Sequence, residues 1–182
     1  MGPSLPTTLN NGYRLTLVKR KVSRMSPEII VETVATRLVA GLEFSTTMAA
    51  LPEDMTRAIG SLVQNVTEAQ MTVIGPLIAV YMEEMHADRP WKCEVCVPVS
   101  EAFGEHPTLR SHELPGGVVA TVTHVGSYDG LKATYNSVFG WFTQHGHTHA
   151  GPPREIYLNS ADEVAEEQLL TRLEFPVVLA SS

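Results

Sequence analysis

Apolar and polar positions along this chain alternate between two rhythms. Residues 29–34 and 37–44 are rich in β-branched and apolar side chains and read as strands. From Pro52 the period lengthens. Met55, Ile59, Leu62, Val63 and Val66 recur at helical spacing and predict one apolar stripe. Pro52 suits an early helical position, and Glu53 and Asp54 complement the positive end of the helix dipole. Gly75-Pro76 marks a turn. Residues 77–82 and 93–99 read as strands, with a polar loop over 83–90 between them. Residues 101–115, rich in Gly, Pro and His, read as a linker. A strand over 118–125 follows. Ser127 then caps a helix carrying Leu131, Tyr135, Val138, Phe139 and Phe142 on one side, and Gly146 stops it. A Gly-Pro-Pro turn at 151–153 and strands over 154–158 and 170–178 complete the pattern.

The pattern repeats. Gly75-Pro76-Leu77-Ile78-Ala79-Val80-Tyr81 aligns with Gly151-Pro152-Pro153-Arg154-Glu155-Ile156-Tyr157. Cys93-Glu94-Val95-Cys96-Val97-Pro98-Val99 aligns with Thr171-Arg172-Leu173-Glu174-Phe175-Pro176-Val177 at a nearly equal offset. Each half reads strand, helix, strand, strand. The expected class is α+β: two pseudo-symmetric repeats, about 27–100 and 112–180, forming antiparallel sheets in one domain over 27–180. Strand alternation puts Ile78 and Val80 on one face with Ile156 and Leu158, and Ala79 and Tyr81 on the other with Glu155 and Tyr157. The first face is expected beneath the helices and the second is expected to be a free concave groove. Glu155 stands where the first half has Ala79, so the fold itself does not demand a carboxylate there. An acid beside tyrosines in an apolar groove is costly unless paired, which points to function. The competing placement is a solvated rim position bridged to Arg154 or Arg172.

Composition narrows the alternatives. The net charge is −7 and the pI near 5.4, against general nucleic-acid binding. The basic residues Arg14, Lys19, Arg20, Lys21 and Arg24 cluster in an extension over 1–26, read as partly disordered with a possible strand. No apolar run reaches the ~20 residues of a membrane helix, and the N-terminus lacks a signal-peptide core. Cys93 and Cys96 have no second ligand pair for zinc and fall on opposite strand faces, so they read as reduced thiols in a cytoplasmic protein. His145, His147 and His149 alternate, and a polar helix-end loop explains them better than a metal site. No metal or cofactor is expected, and no phosphate loop, nucleophile elbow or dinucleotide fingerprint is present.

Several segments together resemble the GyrI-like superfamily, the SOUL-type effector-binding fold of multidrug-sensing regulators. They are Leu114-Pro115-Gly116-Gly117, then Thr123-His124-Val125-Gly126-Ser127-Tyr128, then residues 151–159, then Leu173-Glu174-Phe175-Pro176-Val177. The resemblance implies that Glu155 lies at the floor of a ligand groove with Tyr157 beside it. Tyr81, Tyr128 and Trp141 are the further candidate walls, and Ala79 and His124 are candidate neighbours. Tyr135 reads as core. The implied partner is an aromatic or cationic small molecule, held by a monomer or weak dimer without nucleic acid or membrane. The resemblance offers two alternatives. One is a hydrolase that adds water to strained cyclopropane-type alkylators, with Glu155 as general base and Tyr157 orienting the water. The other is a gyrase-inhibitor-like protein-binding module.

Overall fold

A computed structural model describes residues 28–180. The basic stretch and the extension expected over 1–26 lie outside the described residues. Strands β1 (Ile30–Val34), β2 (Arg37–Thr46), β3 (Ile78–Tyr81) and β4 (Trp91–Pro98) belong to the first half with helix α1 (Leu51–Glu68). Strands β5 (Arg110–Leu114), β6 (Gly117–Val125), β7 (Thr148–His149), β8 (Arg154–Tyr157) and β9 (Leu170–Val178) follow, with helix α2 (Leu131–His145) between β6 and β7. All pairings are antiparallel, in the order β1-β6-β9-β8-β3-β4-β2-β5, with β7 added beside β9.

That order is a palindrome under the repeat. β8 and β3 meet at its centre, β9 mirrors β4, β6 mirrors β2 and β1 mirrors β5. The central register pairs Ala79 with Glu155, so the pseudo-twofold axis passes through a position where the halves differ in charge. The first strand of each half is lent to the other: β1 pairs with β6, and β5 pairs with β2. Residues 110–114 were expected in a linker. Their sequence, Arg-Ser-His-Glu-Leu, is polar, and they become a strand because the edge of β2 offers unpaired backbone groups.

Each helix packs on its own half. Ala58, Leu62 and Val66 of α1 cover Ala40, Ala79, Val95 and Val97. Val138 and Phe142 of α2 cover Ala120, Val122, Leu173 and Phe175. Val63, expected on the buried stripe of α1, instead faces outward. The helices therefore lie over the face carrying Ala79, Tyr81, Glu155 and Tyr157, not over Ile78 and Val80. The expected division of faces holds, but the expected groove behind the helices is corrected: it opens between them, on the face they cover. The physical reason is that the sheet buries its other side by curling. Ile78, Val80 and Ile156 pack there with Val39, Cys96 and Leu114. No helix among the described residues is long and apolar enough to cross a membrane.

Candidate functional site

Two helices centred on separate cores leave the β3–β8 seam uncovered, and the seam becomes a cavity of about 960 Å³. Met55, Thr56 and Ile59 of α1 form one wall, and Leu131, Tyr135, Asn136 and Phe139 of α2 form the other. Tyr81, Glu155 and Tyr157 make the floor. Met48, Met85, Tyr128 and Leu158 complete an apolar rim that is largely exposed.

Glu155 is 3% exposed. Its Oε1 accepts a hydrogen bond from the Tyr135 hydroxyl at 2.9 Å, and its Oε2 accepts one from Tyr157 at 2.8 Å. No cation pairs with it among the described residues. Burial pushes its pKa above the ordinary carboxylate value. The hydroxyls of Tyr157, Tyr135 and Tyr81, and more weakly His124, oppose that rise. The same burial, together with the nearby carboxylate, raises Tyr81, Tyr135 and Tyr157 well above the usual phenol range. The phenols therefore remain neutral donors. Tyr128 stands edge-on to Tyr157, with ring centroids 5.7 Å apart.

Of the residues singled out in the sequence, Glu155, Tyr157, Tyr81 and Tyr128 come together around this cavity. Ala79 lies buried directly across from Glu155 in the register, without lining the cavity, and its small side chain makes room on the axis. His124 is also buried and off the cavity. It bonds the Thr134 hydroxyl and the Ser127 carbonyl oxygen, both at 2.9 Å, and fastens β6 to the start of α2. A Cβ on Gly130 would lie 2.7 Å from the His124 ring, so the turn into α2 closes tightly over it. Trp141 sits at the far end of α2 against Phe142, His145 and His147, away from the cavity. Tyr135, expected in the core, donates to Glu155. Its signal lay in the spacing Leu131–Tyr135–Phe139, a second stripe beside the core stripe Thr134–Val138–Phe142.

Gly146 ends α2 in the left-handed conformation, φ 65°, as its sequence predicts. No group of three or more His, Cys, Asp or Glu residues able to hold a metal occurs among the described residues. Cys93 and Cys96 are free and buried on opposite faces. Burial raises the Cys93 thiol to about 11, so neither the spacing nor the chemistry favours a reactive pair.

The GyrI-like small molecule binding domain matches residues 27–178. Among solved structures, EcmrR in its complex with DNA is similar at a TM-score of 0.78 and 20% identity, over 89% of this chain. The chain spans only 61% of that EcmrR chain. SAV2435 bound to tetraphenylphosphonium aligns at a TM-score of 0.59 and 13% identity, covering 83% of this chain and 94% of that one. A hydrolase from Listeria innocua aligns at 0.58 and 12%, covering 88% and 96%. At these identities the structural likeness speaks to the fold.

Proposed function

The chain belongs to the GyrI-like small-molecule-binding family, and on that premise we propose that its inter-helical groove binds flat or lipophilic aromatic cations. One observation carries this reading: a buried carboxylate held by two phenols in an apolar cavity, with no cation paired to it among the described residues. A desolvated carboxylate is costly unless it is paired. A cationic ligand supplies the missing charge, and the phenol rings add cation–π attraction of roughly 0.5–2 kcal/mol. The exposed apolar rim supplies the hydrophobic part, and methionines there adapt to ligands of different outline. The tetraphenylphosphonium bound by SAV2435, a protein of the same fold, is a ligand of this class. Isothermal titration with tetraphenylphosphonium and with neutral triphenylphosphine oxide tests the proposal. Wild type is expected to prefer the cation, and Glu155→Gln is expected to remove about tenfold or more of that preference. Equal affinity for cation and neutral analogue in the wild type would sink it.

A second reading uses the same carboxylate as a base, and the upward push on its pKa favours it. Glu155 would take a proton from water as a C–O bond forms and the strained ring C–C bond breaks. The released electron pair would pass to a conjugated carbonyl oxygen of the substrate, which the proton finally reaches. Both carboxylate oxygens already accept a hydrogen bond from a phenol, which supports the counter-ion role over the base. Turnover of a cyclopropane-bearing alkylator by wild type and not by Glu155→Gln would reverse that order.

A further inference from the structure

The two walls of the groove differ in a way the pseudo-symmetry does not require. The α1 wall offers Met55, Thr56 and Ile59. From the other side α2 offers Lys132 and, one turn on, Asn136. Both line the cavity and are exposed, and neither side chain makes a hydrogen bond or ion pair among the described residues. Lys132 is the only cation lining the cavity among the described residues. It also occupies the first turn of α2, where the helix dipole disfavours a positive charge by roughly 0.3–1 kcal/mol. The first turn of α1 obeys the usual preference with Glu53 and Asp54, whereas that of α2 holds no acid. The other charge at this rim, Glu163, already accepts the Ser160 backbone N–H at 2.9 Å. A lysine placed against the dipole, unpaired and turned to a cavity, is stabilised by an anionic group arriving with the ligand.

Resting on the cation-binding reading above, we propose that the groove is bipolar and selects amphoteric aromatic ligands. The cationic part meets Glu155 on the floor, and a carboxylate or similar anionic group meets Lys132 and Asn136 at the rim. The preferred class is then an aromatic compound carrying both a positive nitrogen and an acid, rather than a simple lipophilic cation. Helix α2 supplies this selectivity, and the α1 wall serves the apolar remainder of the ligand.

Rhodamine B and its ethyl ester make the test, because they share one cationic ring system and differ in a free carboxylate. Dissociation constants come from fluorescence anisotropy on the full chain. Wild type should bind the acid more tightly than the ester. Lys132→Gln should weaken the acid roughly two- to fivefold, the range of an exposed ion pair, and leave the ester unchanged. Lys132→Glu should reverse the preference, Lys132→Arg should keep it, and added salt should shrink it. Glu155→Gln should weaken both dyes together. An acid-to-ester ratio unmoved by Lys132→Gln and Lys132→Glu overturns the bipolar groove while leaving the cation site standing. Equal weakening of both dyes by the Lys132 variants overturns it too, since shape rather than charge would then be at work. Failure of both dyes to bind wild type overturns the cation-binding reading, and this one with it.

Discussion

Glu155 is subject to two opposing influences, and the larger one is burial. Its folded pKa lies above the ordinary carboxylate value, so the native state holds the proton more tightly than the unfolded chain does. The sign follows. Below the ordinary carboxylate range both states are protonated and nothing is lost. As pH rises from there through the raised folded value, stability falls, and above that value the full penalty of a buried charge persists. Glu155→Gln removes the penalty. The variant is expected to be more stable than wild type at neutral pH by about 0.5–2 kcal/mol, typical of a stabilising change at a functional position. Thermal melts between about pH 4 and 8 should show the advantage vanishing toward the acid end. An advantage independent of pH would mean that ionisation is not its source. The tyrosines act in the other direction. Tyr135→Phe and Tyr157→Phe each remove a donor to the carboxylate, so each should raise the Glu155 pKa further, as followed by carboxyl-carbon NMR titration. Tyr157 and Glu155 were legible as a pair because alternation puts residues two apart on one face. The role of Tyr135 was not, because helical spacing cannot distinguish a side chain entering a core from one entering a cavity beside it.

At the scale of elements, the helices and the central strands were readable because their periods and turn residues agree. The side of the sheet they cover was not. Alternation sorts residues into two faces but assigns cover to a face only when one of them is polar. Here every residue of β3 is buried, and Arg154, Glu155 and Ile156 of β8 are buried alike, because helices shield one face and sheet curvature the other. β5 is not legible in the sequence for a related reason: its residues carry no strand pattern, and its conformation comes from the neighbour it pairs with. His124 likewise is a groove residue by expectation, while its hydrogen bonds make it the clasp between β6 and α2. That role is testable through Gly130. An alanine there would push a Cβ to 2.7 Å from the His124 ring, and either the ring or the turn must move. Gly130→Ala is expected to cost about 1–3 kcal/mol in urea unfolding, as overpacking does. It should also loosen the start of α2, and with it Tyr135, so cation affinity should fall alongside stability. Alanine at Gly140, inside α2 where an added Cβ meets nothing, is the control: it should leave affinity unchanged and raise stability by about 0.5–1 kcal/mol through helix propensity.

Across the whole molecule, the two halves are joined by exchanged edge strands and by a charged cluster on the curled side of the sheet. Glu174, fully buried on β9, receives both Arg37 guanidinium nitrogens at 2.8 and 3.0 Å. Arg172 approaches it at 3.2 Å and Arg154 at 3.8 Å. Arg172 also reaches Glu32 on β1, and Arg154 donates to the Pro115 carbonyl oxygen in the link between β5 and β6. One carboxylate thus organises contacts from β1, β2, β8, β9 and the β5–β6 connection, spanning both repeats. The repeat alignment places Cys96 opposite Glu174, so the ionic version occurs in only one half and, like Glu155, breaks the symmetry. Replacing such a cluster by apolar residues of equal volume can be neutral, but removing one partner leaves buried charge uncompensated. Glu174→Ala leaves Arg37 and Arg154 without a carboxylate partner and Arg172 with Glu32 alone, and is expected to cost about 3–5 kcal/mol, read as a lower urea midpoint. Because each half holds a strand of the other, the loss should appear as one cooperative transition shifted as a whole, with tryptophan fluorescence and far-ultraviolet circular dichroism superimposing. Trp91 lies in the first half and Trp141 in the second, so single-tryptophan variants can follow each repeat separately. Separate midpoints for the two probes would show that the exchanged strands do not make the repeats one folding unit. A rigid seam between the helices would then have to be held by ligand rather than by the sheet. Coincident midpoints mean that the floor carrying Glu155 is set by the fold before any ligand arrives, as a preorganised cation site requires.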